Sequence, residues 1–200
     1  DSGDFISNME LAVKDSDWES FNDRAAISLK NNKLRGIGLS TYIEACSGGG
    51  PEEATIILEK DGNITLHIGT QSNGQGHETA YKQILCEYLG VSPEKMTVIQ
   101  GDSDLIAFGS GTGGSRSVPV GGAAIKVASE NIIGQTKIIA AKKLNVDENL
   151  IKYKEGLLLV EGTNLTVSLE DLAKESDVPI KVSNQWTPPN FTFPNGCHIC

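Results

Sequence analysis

The stretch ATIILEKDGNITLHIG, residues 54–69, sets the fold class. Ala54, Ile56 and Leu58 alternate on one face, Asp61-Gly62 supplies a two-residue turn, and Ile64, Leu66 and Ile68 alternate on the return. This period-2 pattern across a Gly-containing turn predicts an antiparallel hairpin with one apolar face. Asn63, Thr65 and His67 then fall on the opposite face, which makes His67 a half-exposed strand residue with no ligand role.

Outward from the hairpin the periodicity changes to that of helices. A polar, Gly-rich loop over residues 70–76 precedes a stripe of Ala80, Tyr81, Ile84, Leu85, Tyr88 and Leu89, and Gly90 ends it. Ser92-Pro93 restarts a short helical turn, and residues 96–100 read as a strand returning to the sheet. A second Gly-rich loop, residues 109–117, opens a long helix to about residue 143, with Ile125, Ala128, Ile132 and Ile139 on its inner face. Upstream, residues 4–30 read as helical through Trp18, Phe21 and Ala25, and residues 35–45 as a β-type run. Downstream come a strand pair around Glu155-Gly156, a short helix over residues 168–175, an extended stretch over 179–186, and a linker enforced by Pro188-Pro189. The expected fold is α+β, a two-layer arrangement of helices on a mixed sheet. Residues 1–33 form an N-terminal helical segment, 34–187 the main domain, and 188–200 a linker and the start of a following strand.

Composition narrows the function classes. The 200 residues are 38% hydrophobic and 22% charged, as in ordinary globular chains. A net charge of −9, with 17 scattered Lys and Arg, argues against a nucleic-acid partner. No apolar run approaches the roughly 20 residues a membrane span needs, and no signal-peptide pattern is present. A cytoplasmic location and no membrane partner are therefore expected. Asn63, Asn164 and Asn190 head chance Asn-x-Thr triplets in such a compartment. Cys46, Cys86, Cys197 and Cys200 are too few and too unevenly spaced for a disulfide framework. The start without methionine and the close at the beginning of a strand lead us to expect a segment of something longer.

Two loops could carry chemistry. In the first, Gly74 and Gly76 flank Gln75 at a helix start. Glycines let a backbone approach a bulky ligand, and the first helical amides favour acceptor-rich groups. The alternative is a plain strand-to-helix turn with Glu78 placed favourably near the helix N-terminus. In the second, four glycines, four hydroxyls and Arg116 offer many donors to a phosphate or pyrophosphate; the alternative is a flexible loop. Gly109, Gly111 and Gly114 satisfy G-x-G-x-x-G formally. No strand directly precedes them, however, and the acid expected about 20 residues on would be Glu130, inside a helix. The pair Cys197 and Cys200 lacks a second pair for a structural zinc. His67, His77 and His198 stand in contexts too different for a nucleophilic triad.

Taken together, the segments resemble a known family. GTQSNGQGHETAYKQIL at residues 69–85, VIQGDSD at 98–104 and GTGGSRSVPVGGAA at 111–124 resemble, in order and spacing, the molybdenum-binding subunit of xanthine dehydrogenases, aldehyde oxidases and aerobic carbon monoxide dehydrogenases. DSGDF at 1–5, RGIGLSTYIE at 35–44 and TFPNGCHIC at 192–200 extend the resemblance over nearly the whole chain. It implies a fold like that family's molybdenum-cofactor-binding domain. It implies that Gly74, Gln75, Gly76 and His77 lie against molybdopterin and its oxo-molybdenum centre. By the same resemblance Gly113, Gly114, Ser115, Arg116 and Ser117 hold the pterin and phosphate end, in the molybdopterin-cytosine dinucleotide form. The metal in this family is held by the cofactor's dithiolene sulfurs, so no metal ligand is expected here. The family reaction oxidises an aldehyde, N-heterocycle or carbon monoxide with oxygen from water, using a glutamate base that the resemblance places beyond Cys200. No catalytic residue is therefore assigned within the chain. Alone, the segment is expected to be inactive and to lack the opposite wall of a cofactor site. The implied partners are iron–sulfur and FAD-binding subunits or domains and the remainder of the large subunit. Two readings from other classes compete: a non-catalytic scaffold module, and an independent phosphate- or nucleotide-binding domain.

Overall fold

The computed structural model describes residues 3–48 and 50–200, so Asp1 and Ser2 of the N-terminal motif lie outside the described residues. The chain divides into two compact units, Asp1–Cys46 with Phe191–Cys200, and Ser47–Asn190.

In the first unit the expected N-terminal helix is two helices. Helix α1, Phe5–Asp15, begins at Asp4, whose carboxylate accepts the Ser7 amide at 3.0 Å. It stops because Asp17 adopts φ 50°, a left-handed conformation that no helix interior accommodates. The Arg24 guanidinium donates to the freed carbonyls of Ser16 and Asp17, at 3.1 and 2.7 Å. After a short 3₁₀ turn, Trp18–Ser20, helix α2 runs over Phe21–Lys30. Periodicity alone reads through this break because residues on both sides keep helical spacing. Strand β1, Leu39–Ile43, pairs antiparallel with the closing strand β9, Asn195–Ile199, with Thr41 opposite Cys197. Residues 34–46 thus share a unit with the helices and the C-terminus, because the hydrogen-bonding partner of β1 lies at the far end of the chain.

The second unit carries the candidate loops. Strands β2, Glu52–Leu58, and β3, Ile64–Ile68, form the expected hairpin, with Ile56 opposite Leu66. Its turn has three residues rather than two. Glu59 and Asn63 remain paired, the Gly62 amide donates to the Glu59 carbonyl at 2.8 Å, and Gly62 takes φ 85°. Helix α3, His77–Leu89, leads to β4, Met96–Gln100, which pairs parallel with β3. A five-residue π-turn, Ser117–Gly121, enters helix α4, Gly122–Leu144. Strands β5, Ile151–Lys154, β6, Leu157–Val160, and β7, Thr166–Ser168, make a small antiparallel sheet. Helix α5, Leu169–Glu175, follows, capped by the Ser168 hydroxyl, and β8, Ile180–Trp186, returns to pair antiparallel with β2. The main sheet has the order β4-β3-β2-β8 and is mixed, as expected.

Helices α3 and α4 cover one face of that sheet. Ile56, Leu66, Ile68, Tyr81, Leu85, Ala124, Ile125 and Ala128 all have 0% exposure in one core cluster. Burial of this kind is worth about 25 cal/mol per Å² of apolar surface, so the layer contact dominates local stability. The inner face of α4 runs on through Thr136 and Ala140, with Ile139 only partly buried, because the helix leaves the sheet to meet β5 and α5. His67 is also a correction: it is buried at 9%, between Thr55 on β2 and Ile99 on β4. An interior strand is flanked on both sides, so even its outward residues are shielded. Gly90 ends α3 at φ 57°, and a Cβ there would lie 2.3 Å from the Glu155 Cα, so the β5–β6 turn requires glycine twice over.

Candidate functional site

The two Gly-rich loops lie side by side at the end of the sheet. The first leaves β3 at Gly69 and the second reaches it at Gly109. A Cβ on Gly69 would come 2.6 Å from the Gly109 Cα, so the backbones touch where no side chain fits.

Glu52 sits beneath this crossing with 0% exposure. Its Oε1 accepts the Gly69 amide at 3.0 Å, and its Oε2 accepts the Ser110 amide at 3.3 Å and Arg116 Nη1 at 2.7 Å. Arg116 is 2% exposed, and all five of its N–H groups have protein acceptors. Besides Glu52, these are the carbonyls of Gly48 for Nε, Gly111 for Nη1, and Gly50 and Pro51 for Nη2, at 2.7–3.1 Å. The guanidinium therefore has no N–H left for an external anion. Its place is under the loop.

A second set of bonds ties the loops to α3. The Tyr81 hydroxyl donates to the Ser117 carbonyl at 3.1 Å and lies 2.6 Å from Thr70 Oγ1. Since the phenol has one proton, Thr70 must be the donor to it. Burial pushes the Tyr81 phenol above its ordinary pKa, and the nearby Glu52 carboxylate adds to this, so it remains a donor at neutral pH. Thr112 Oγ1 donates to the Gln71 carbonyl at 2.6 Å, so its 3.1 Å contact with Ser117 Oγ is one in which Ser117 donates. Gln100 Oε1 accepts the Ser72 amide at 3.0 Å.

The outward surface of the pair is main chain and amide. Gly74 and Gly76, at φ 108° and 78°, have open space where a Cβ would be, as does Gly113. Gln75 is exposed; its Oε1 faces the Asn73 amide and the Ser72 hydroxyl, and its Nε2 has no partner among the described residues. Gly113, Gly114 and Ser115 are exposed, and Gly114 and Ser115 take φ 55° and 50° before a right-handed Arg116. Turns of this kind bring successive amides toward one concavity, where they hold anions. His77 opens α3 at 4% exposure with its ring 5.4 Å from that of Tyr81, and its Nδ1 is buried with no partner among the described residues. Gly74, Gln75 and Gly76 of the first loop and Gly113, Gly114 and Ser115 of the second are thus exposed, whereas the side chains of His77, Arg116 and Ser117 are buried.

Glu52, Tyr81, Thr112 and Gln100 were not singled out as site residues from sequence. Only Glu52 carried a signal: it stands in phase with Ala54, Ile56 and Leu58, so a carboxylate on the buried face required a partner. The G-x-G-x-x-G match has no Rossmann frame, since β4 ends at Gln100, well before Gly109, and Glu130 pairs with Lys126 on the surface of α4. Cys197 and Cys200 are free thiols on or beside β9, and His198 contacts Tyr42 at 5.0 Å between ring centroids. Among the described residues no group of three or more His, Cys, Asp or Glu gathers in a way that could hold a metal ion.

Comparison with known proteins matches this geometry to a family. The family model described as a molybdopterin cofactor-binding domain matches residues 11–200. The chain is 32% identical to the carbon monoxide dehydrogenase large chain of Hydrogenophaga pseudoflava, over 100% of this chain and 28% of that one. It is 29% identical to the nicotine 6-hydroxylase large subunit of Paenarthrobacter nicotinovorans, over 99% of this chain and 27% of that one. The crystal structure of a Cu,Mo-CO dehydrogenase in its carbon monoxide reduced state superposes with a TM-score of 0.76 at 29% identity, over 100% of this chain and 28% of that one. Quinoline 2-oxidoreductase from Pseudomonas putida 86 shares the fold, with a TM-score of 0.72 at 22% identity over 98% of this chain and 28% of that one. The chain thus spans about 28% of the length of these relatives.

Proposed function

The chain belongs to the molybdopterin cofactor-binding domain family, and from that membership we propose that its two loops form one wall of the cofactor site in the large subunit of a molybdenum hydroxylase. The observation that carries this reading is the exposure of glycines in both loops, together with the exposed Gln75 amide between two of them. A large, acceptor-rich, anionic group fits such a surface: open space at Gly74, Gly76 and Gly113 admits its bulk, and main-chain amides meet its charge.

Each residue has a distinct task. Gly74 and Gly76 let the first loop lie flat against the group, and Gln75 Nε2 donates to an oxygen near its metal end. His77 opens the helix beneath that loop, where its buried Nδ1 has no partner among the described residues. The amides of Gly113, Gly114 and Ser115 face the phosphate end; Ser117 and Arg116 keep that loop in shape. A cytosine dinucleotide extends the phosphate end, and an amide-rich second loop suits its added charge. When bound, the cofactor supplies the redox chemistry that oxidises an aldehyde, N-heterocycle or carbon monoxide with oxygen from water. The general base, a glutamate, and the substrate pocket belong to the remainder of the subunit. Electrons leave through iron–sulfur and FAD-binding partners, in keeping with the large-chain and large-subunit names of the relatives. No helix among the described residues is long and apolar enough to cross a membrane, and we place the assembly in the cytoplasm.

A bulky side chain at Gly113 tests the wall. Gly113→Tyr meets open space and an ordinary backbone conformation, so the protein should fold as before while the cofactor is excluded. Full-length protein carrying this change, purified with its partners, should lose most of its molybdenum while keeping the wild-type circular dichroism spectrum and subunit assembly. Wild-type molybdenum content in the variant would overturn the placement.

A further inference from the structure

The Glu52–Arg116 pair does something that the cofactor-wall reading does not by itself require. We propose that Glu52 is a positioning residue, whose carboxylate, oriented by Arg116, couples the first and second loops so that both order as one unit. The proposal rests on the reading above for the identity of the ligand, but not for the coupling itself.

The carboxylate divides its two oxygens between the loops. Oε1 takes the amide of Gly69, at the root of the first loop, and Oε2 takes the amide of Ser110, at the root of the second. Arg116 then fixes which oxygen serves which loop, because its Nη1 binds Oε2 at 2.7 Å. The same guanidinium collects carbonyls from Gly48, Gly50 and Pro51 on the approach to β2 and from Gly111 in the second loop. The Ser47 and Gly48 amides return the contact by donating to the carbonyls of Ser115 and Gly114, both at 3.4 Å. The approach to β2 and the two loops thus meet at one ion pair. Both partners are almost wholly buried, so removing either leaves an uncompensated charge inside the protein.

The chemistry of the pair is specific. A planar guanidinium fork can serve five acceptors at once, whereas an ammonium has three donors and no fixed plane. A carboxylate one methylene shorter cannot reach both roots from the same backbone position. Because the pair neutralises itself, the only positive polarity left for an anion at the second loop is that of main-chain amides. Their direction depends on the pair.

The test uses full-length protein purified with its partner subunits, in wild-type form and as Glu52→Gln, Glu52→Asp, Arg116→Lys and the Glu52→Gln/Arg116→Lys double variant. Two quantities are measured: amide hydrogen exchange in peptides covering residues 69–76 and 109–117, and molybdenum content. Each single variant should speed exchange in both peptides by tenfold or more and lower molybdenum content, and the double variant should be no worse than the poorer single one. Glu52→Asp keeps the charge beside Arg116, so it is read if Glu52→Gln does not fold. If Arg116 instead bound the anion directly, Arg116→Lys would hold the cofactor and Glu52→Gln would leave first-loop exchange unchanged; that pattern overturns the proposal. Coupled loosening of both loops in a protein that never contains molybdenum would support the positioning role and refute the cofactor reading instead.

Discussion

Replacing Gly69 by alanine puts the crossing of the two loops under direct strain. The new Cβ would lie 2.5 Å from Glu52 Oε1 and 2.6 Å from the Gly109 Cα, against an ordinary contact of about 3.4–4 Å. Gly69 does not hold a positive φ, so the whole cost is contact. One obstacle is backbone and cannot rotate away; the other is a buried carboxylate held by Arg116. Forcing an extra methyl into a filled interior costs about 1–3 kcal/mol. Displacing Glu52 from the Gly69 amide removes a hydrogen bond to a charged group, worth about 1.5–3 kcal/mol. Together they come to about 2.5–6 kcal/mol, which at roughly 2–4 °C per kcal/mol lowers an unfolding midpoint by on the order of 10 °C. Gly113→Ala is the matched control, since its Cβ meets nothing within 4 Å, and it should shift the midpoint by no more than about 2 °C. Thermal unfolding followed by circular dichroism reads both. Equal midpoints for the two variants would refute the close crossing.

Tyr81→Phe removes the hydroxyl that accepts from Thr70 and donates to the Ser117 carbonyl, and the Thr70 hydroxyl loses its acceptor in the interior. A loss of about 1–3 kcal/mol in denaturant unfolding is expected, and an unchanged midpoint would contradict the bridge. Gln75→Ala leaves the fold intact because the side chain is exposed. In the loaded full-length enzyme it should lower turnover by about tenfold or more at equal molybdenum content, and equal turnover would remove Gln75 from the site. Hydrogen bonds and charge from Lys174 and then Lys95, each 2.6 Å away, hold the Glu170 carboxyl down at about 2, against its ordinary 4.5. A carboxylate depressed by folding contributes stability that is present above its unfolded pKa and is lost as pH falls toward the folded value. Glu170→Gln should therefore flatten the acid side of the stability profile between about pH 4.5 and pH 2, less so in high salt because the cluster is exposed. A profile identical to wild type would exclude that contribution.

The parts of the fold legible in the sequence are those where one residue type repeats against a single environment. The β2–β3 hairpin showed itself through alternation, and α3 through the four-residue steps from Ala80 to Leu89. The N-terminal break was hidden because Asp17 ends α1 by its backbone conformation, with no glycine or proline to mark it. The burial of His67 was hidden because alternation reports which face a residue takes but not how many strands flank it. At the site, the glycines declared where backbone lies open, and the resemblance named the ligand. The role of Arg116 was misdirected by chemistry that is usually sound, because an arginine in a Gly-rich loop suits a phosphate. Its acceptors are the nearby Gly111 carbonyl and, some 65 residues away in sequence, Glu52 and the carbonyls of Gly48, Gly50 and Pro51, and no local pattern reports partners at that distance.

The most direct measurement is the molybdenum, pterin and cytosine-nucleotide content of the full-length protein, purified with its partner subunits from cells that make the cofactor. The expected result is about one of each per large subunit, falling together in Gly113→Tyr. A correctly folded, complete assembly that contains none of the three would contradict the assignment of these loops to a molybdopterin site.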